Sequence, residues 1–270
     1  MSDKIKVENF SASPSNAQIR KFSWKRTKAC YWKLVIVALI AYIPTFITIL
    51  IQIPVTGTLW ATIISYLVNL IFTPLTIGIT VYSYDVYLNG KSKFNKIFVF
   101  FRKKRLLITS FLLGLFNLLL QLMAFLPSHI WDFFKNNETL PNYETVFYVL
   151  LALLYLFIFI FSYFQMRLYL TDYIFIREPN KKASAIIKES FNYTKGRVHN
   201  IIWFGITVLL GWIFIIYIFM WFIGQFIDIS ILLINVQISL LPYYIFVQPY
   251  VNIAFAGYAH KMIEYNKTEK

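Results

Sequence analysis

The sequence predicts an all-α fold: a polytopic helical membrane protein of about six transmembrane helices, with short interfacial amphipathic helices. Three observations carry this reading. The chain is 59% hydrophobic and only 14% charged, where a soluble domain carries about 25% charge. Its apolar residues gather into blocks of the length, about 20 residues, that a helix needs to cross a hydrocarbon core of about 30 Å. Its basic residues fall almost wholly between alternate blocks, the asymmetry that orients membrane proteins.

Taken in order, residues 1–16 are polar and hold Ser11, Ser13, Pro14, Ser15 and Asn16, which reads as a disordered tail. Residues 17–265 read as a single six-span membrane domain, and 266–270 as a second tail. The text from Ala17 to Lys33 is basic and aromatic, and the first apolar run follows at Leu34 to Ile53. No signal peptide is expected there, because the preceding segment is long and no small-residue cleavage site follows. Further runs cover Leu59 to Tyr84, Leu106 to Leu126, Thr145 to Leu170, Ile201 to Phe222 and Ile231 to Tyr258. Pro242 and Pro249 leave open whether the last run is one helix or two. A single cysteine, Cys30, excludes an intramolecular disulfide.

Counting Lys and Arg, eight precede the first run, seven lie between runs two and three, seven stand from Arg167 at the end of the fourth run to Arg197 before the fifth, and three follow the sixth. That places 25 of 26 on one side, with only Lys135 opposite, beside Asp132, Glu138, Glu144 and Asp228. The expectation is a bacterial cytoplasmic-membrane protein with both termini cytoplasmic. The net charge of +14 then suits a bilayer with anionic lipids as partner, and nucleic acid is not expected. Three basic lead-ins should lie at the interface: Lys25, Arg26 and Lys28; Arg102, Lys103, Lys104 and Arg105; and Lys181, Lys182, Lys188, Lys195 and Arg197.

The third lead-in is the most patterned stretch. After a turn at Pro179–Asn180, Ala183, Ile186, Ile187, Ser190 and Phe191 share one helical face and Lys181, Lys182, Lys188, Asn192 and Lys195 the other, with Gly196 as helix-ending residue. Such a helix suits the water–lipid boundary, with Ile186, Ile187 and Phe191 in the acyl region; packing on its own protein is the plainer alternative. SFNYTKG at Ser190–Gly196 also echoes SWKRTKA at Ser23–Ala29, and FNKIFVFFRKKR at Phe94–Arg105 repeats the aromatic-then-basic theme. The chain thus reads as three units, each a basic lead-in followed by a hairpin of spans.

The text MRLYLTDYIFIREP…ASAIIKESFNYTKGRVHNIIWFGITVLLGWI resembles the bacterial membrane family catalogued as domain of unknown function 975. The matching features are Tyr169, Asp172, Tyr173, Ser190, Lys195, Gly196, Gly211 and Trp212, and PLTIGITVYSYDVYLNG at Pro74 to Gly90 resembles an earlier Pro-x-x-x-Gly passage of that family. The resemblance covers most of residues 17–265. It implies a six-span bacterial inner-membrane protein and names no activity.

Nothing in the sequence points to a catalytic, cofactor or metal site. His129, His199 and His260 are isolated, and there is no Gly-rich phosphate loop. Asp85 and Asp172 could hold a proton or a metal, but salt bridges to Arg167, Arg102 or their neighbours are the expected fate. The polar residues within the runs say more. Asn69 and Thr73 stand four apart, as do Asn117 and Gln121; Asn235, Gln237, Gln248 and Asn252 lie in the sixth run, and Ser162 and Gln165 close the fourth. In lipid such groups must find partners, so they face the bundle interior as interhelical glue or as a polar path. Two functions stay open. The one the sequence favours is a non-catalytic component, a transport accessory or a peptide-toxin immunity protein, with a membrane protein or peptide as partner. The other is a small permease or exporter with a polar path between Pro-kinked helices.

Overall fold

The computed structural model describes residues 14–52, 59–134, 143–224 and 243–268. Among these every regular element is helical. In chain order they are α1 (Asn16–Gln52), α2 (Leu59–Asn89), a 3₁₀ turn (Phe94–Phe98), α3 (Val99–Arg102), α4 (Lys104–Phe134), α5 (Tyr143–Leu168), α6 (Thr171–Arg177), α7 (Ala183–Thr194), α8 (Val198–Gly224), a π-helical turn (Tyr243–Val247) and α9 (Gln248–Thr268). Four segments are long and apolar enough to cross a membrane: Asn16–Thr48, Ile63–Asn89, Lys104–Ile130 and Glu144–Arg177. They coincide with the first four apolar runs, and α8 adds a shorter apolar stretch, Val198–Leu210. The first part of the sixth run, with Asn235, Gln237 and Pro242, lies outside the described residues.

The helices pack in the sequence α5–α4–α2–α1–α9, with α9 also against α2 and α8 touching α5 and α9. The short helices α6 and α7 sit across the ends of α2, α4, α5 and α9. The core lies at this basic end rather than midway along the spans. Tyr82 and Tyr87 of α2, Phe100 of α3, Phe175 of α6, Ile186 of α7 and Phe204 of α8 are all buried there. Phe204 stacks on Tyr258 of α9 at 4.3 Å, and Phe100 meets Phe175 at 5.0 Å. By contrast, no residue in the apolar window of α5 is buried, so that helix turns its oily side chains outward, the surface a bilayer covers.

Local chemistry moves three boundaries from the sequence reading. α1 begins inside the expected tail, because Ser15 and Gln18 form a reciprocal capping box: Ser15 N donates to Gln18 Oε1 at 2.7 Å, and Gln18 N to Ser15 Oγ at 3.2 Å. α9 runs through the expected terminal tail to Thr268. Pro249 stands in the first turn of α9, directly after the π-helical turn Tyr243–Val247, where the regular α-helical bonding is already interrupted.

The third lead-in is the helix the periodicity predicts, and Gly196, at φ +71°, ends it. Its environment differs from the expected one. Ile186, Ser190, Tyr193 and Thr194 are buried against protein, and Phe191 packs on Phe164 at 5.9 Å. The reason is polar. The Ser190 hydroxyl donates to the carbonyl of Arg167 at the end of α5, at 2.7 Å, and Thr194 donates to Ser190 O at 2.8 Å. These bonds pin the helix to α5, so its apolar stripe is spent on the protein while Lys182, Lys188 and Lys195 stay exposed.

The echo at Ser23–Ala29 has the same geometry. Ser23, buried, donates to Ile253 O of α9 at 3.4 Å, and Thr27 donates back to Ser23 O at 2.9 Å. The chain then bends at Cys30 (φ −126°, ψ 19°), one residue beyond the position that matches Gly196 of the other copy. One member of this lead-in departs from the interfacial expectation. Arg26 is only 3% exposed, because its guanidinium lies over the Phe22 ring at 4.7 Å and donates to Leu88 O at 3.3 Å. Lys25, Lys28, Arg102, Lys103, Lys104 and Arg105 are exposed.

A polar chamber between three spans

The predicted polar residues of two spans meet. Asn69 and Thr73 of α2 and Asn117 and Gln121 of α4 line one chamber of about 380 Å³, within the range of about 300–1,000 Å³ for small-molecule pockets. Spacing explains the arrangement: residues four apart share a helix face, and α2 and α4 turn these faces to each other. Gly114 permits the approach, since a β-carbon there would overlap Thr73 Oγ1. Along α2 the polar lining runs from Asn69 to Thr76, about 12 Å at 1.5 Å per residue.

α5 supplies the third wall through Gln165, whose Nε2 donates to Asn117 Oδ1. This pair does tie α4 to α5, as the glue reading requires. Asn69 and Gln121 make no side-chain hydrogen bond among the described residues, so glue does not account for them. Thr76, one further turn along α2, also lines the chamber. The sequence reading stopped at Thr73, although the i, i+4, i+7 spacing of Asn69, Thr73 and Thr76 marks a single face. At the basic end Tyr169, Thr171 and Asp172 join the lining, with Ile187 of α7 beneath. Asn69 and Thr76 are exposed, so the chamber is open on the α2 side.

Other candidates are placed elsewhere. Gln248 Nε2 donates to Asn252 Oδ1 at 2.8 Å, and this pair closes on itself in the first turns of α9, away from the chamber. Asn235 lies outside the described residues. His129 shares a hydrogen bond with Tyr66 OH at 3.2 Å, and His260 with Tyr84 OH at 3.0 Å. Among the described residues no cluster of His, Cys, Asp or Glu could hold a metal ion.

The two aspartates separate. Asp85 is ion-paired as expected, though with Lys96 at 2.8 Å rather than with Arg102, and it also accepts from Asn89 at 2.7 Å. Asp172 makes no ion pair or hydrogen bond among the described residues, against the expectation of a salt bridge to Arg167. Arg167 is drawn the other way. Its NH2 donates to Phe191 O at 2.6 Å, its NH1 to Tyr163 OH at 3.1 Å, and its guanidinium covers the Phe191 ring at 4.9 Å. The chain turns at Tyr169–Leu170, so α6 carries Asp172 to the chamber while Arg167 stays with α7. Among the described residues Asp172 is the single charged one in the lining.

No protein-family model, no curated protein and no solved structure matches this chain. The resemblance noted above therefore rests on its residues alone.

Proposed function

We propose that this is a non-catalytic membrane protein whose chamber binds a small polar solute, a permease or exporter rather than a passive accessory or immunity component. The observation that carries this reading is the convergence of Asn69, Thr73, Asn117, Gln121 and Asp172 on one open cavity, with Asn69, Gln121 and Asp172 unsatisfied by protein. A bundle held only by polar glue pairs such groups with one another, because an unpaired polar group in lipid is costly. Here they are kept for something that enters. The Pro44 and Pro74 positions within α1 and α2 loosen these helices where a path needs compliance.

The reading includes six spans in a bacterial cytoplasmic membrane, both termini inside, with the lead-in lysines facing anionic lipid, as the 25-to-1 split of basic residues supports. Reporter fusions after Glu138 and after Asn266 should then report opposite compartments. For the chamber, flux of labelled polar solutes into proteoliposomes is compared between the wild-type protein and Asn117→Leu/Gln121→Leu at equal folded protein. Loss of flux per folded molecule supports the solute site. Flux that falls only as folded protein is lost returns the residues to the role of glue.

A further inference from the structure

The threonines and Asp172 give the chamber lining a set of acceptors and one uncompensated negative charge. A hydroxyl has one proton to give and two lone pairs to offer. Thr73 gives its proton to Asn69 O at 3.1 Å, Thr76 to Thr73 O at 2.8 Å, and Thr171 to Leu168 O at 2.7 Å. Each therefore has only lone pairs left for the cavity. Asp172 adds a carboxylate, and among the described residues no Lys, Arg or His lines the space. The carboxamides of Asn69, Asn117 and Gln121 offer N–H donors as well as oxygens, so the bias of the lining is its negative charge. A cation with N–H groups meets both the carboxylate and the threonine lone pairs, an anion meets the uncompensated carboxylate, and a divalent metal would need more anionic ligands than one.

Resting on the solute-site reading, we infer that the chamber takes a small organic cation with N–H donors, a primary ammonium on an apolar body. Asp172 is its counter-ion. The threonine oxygens accept from its remaining N–H groups, and Ile77, Leu113 and Phe116 cover its apolar part. One carboxylate matches one charge, and charge-assisted hydrogen bonds inside a partly dry cavity are the strong ones.

The test is calorimetric titration of the full chain, held in nanodiscs of zwitterionic lipid so that cations do not gather on the bilayer. The probes are butylammonium, butyltrimethylammonium, butanol and butyrate. The expected result is saturable binding of butylammonium at one site, with butyltrimethylammonium weaker because it has no N–H, and butanol and butyrate weaker by about tenfold or more. Asp172→Asn should weaken butylammonium about tenfold or more without affecting butanol. Thr73→Val with Thr76→Val should weaken butylammonium and leave butyltrimethylammonium unchanged, which keeps the test decisive if the Asp172 variant fails to fold. Butanol or butyrate binding as tightly as butylammonium, with no effect of Asp172→Asn, overturns the cation assignment and leaves the solute site standing. No binding of any probe to folded wild-type protein, together with no solute flux, overturns both.

Discussion

Asp85 near the end of α2 and Asp172 at the start of α6 occupy matching places, each three residues after a tyrosine, Tyr82 or Tyr169. Their surroundings are opposite. Asp85 is met by Lys96, delivered by the 3₁₀ turn that presses on α2 where Gly78 has no side chain; the Ile97 carbonyl fills the space a β-carbon would take. Asp172 has arginines five residues to either side, yet Arg167 serves the end of α7 and Arg177 pairs with Glu264 at 2.6 Å. A carboxylate at a helix end is thus structural or available according to whether the neighbouring cation has a better place to go. Backbone carbonyls at helix ends are such places, because they lack intrahelical partners.

Four measurements would break or sharpen this contrast. The largest effect should come from Gly78→Val. Its side chain collides with backbone, so the Phe94–Phe98 turn must move and take Lys96 from Asp85, at a cost of about 1–3 kcal/mol of overpacking. A denaturation midpoint unchanged from wild type would show that the turn is not held this way. The aspartates themselves should then respond with opposite sign. Asp85→Asn gives up a half-exposed pair and should lose about 0.2–1 kcal/mol. Asp172→Asn removes an unpaired, half-buried charge and should raise the melting temperature of the ligand-free protein by about 2–4 °C. A fall for Asp172→Asn would mean that its charge is satisfied.

Ser190→Ala should cost about 0.5–1.5 kcal/mol for the lost bond to Arg167 O. It should also loosen α7, read as faster hydrogen exchange over 183–194 with 16–29 unaffected. The smallest expected effect is in acid. Burial among Tyr84 and Tyr87 holds the His260 imidazole below its ordinary value; Arg177 adds to this and Glu264 opposes it. Because the folded pKa is depressed, the stability it contributes is present above about pH 6.5 and is lost as pH falls below that. The melting temperature should therefore decline more steeply below pH 6.5 in the wild type than in His260→Gln. Parallel curves would remove His260 from the account.

The all-helical class, the four helices long and apolar enough to cross a membrane and the end of α7 at Gly196 were legible in the sequence by itself. They follow from properties that act along the chain: apolar length, helical period and the conformational freedom of glycine. The pairing of Asn69 and Thr73 with Asn117 and Gln121 was half legible, since spacing places each pair on one face but cannot say which faces meet. Tertiary structure alone decided that Gln248 bonds to Asn252 instead of joining them, that Arg26 is buried, that the α7 stripe meets protein rather than lipid, and that Asp172 is left without a cation. The physical reason is competition. Each of these groups had several partners within reach of its sequence neighbourhood, and the winner was the one that another helix brought closer, as the Arg167 carbonyl was brought to Ser190 and Lys96 to Asp85.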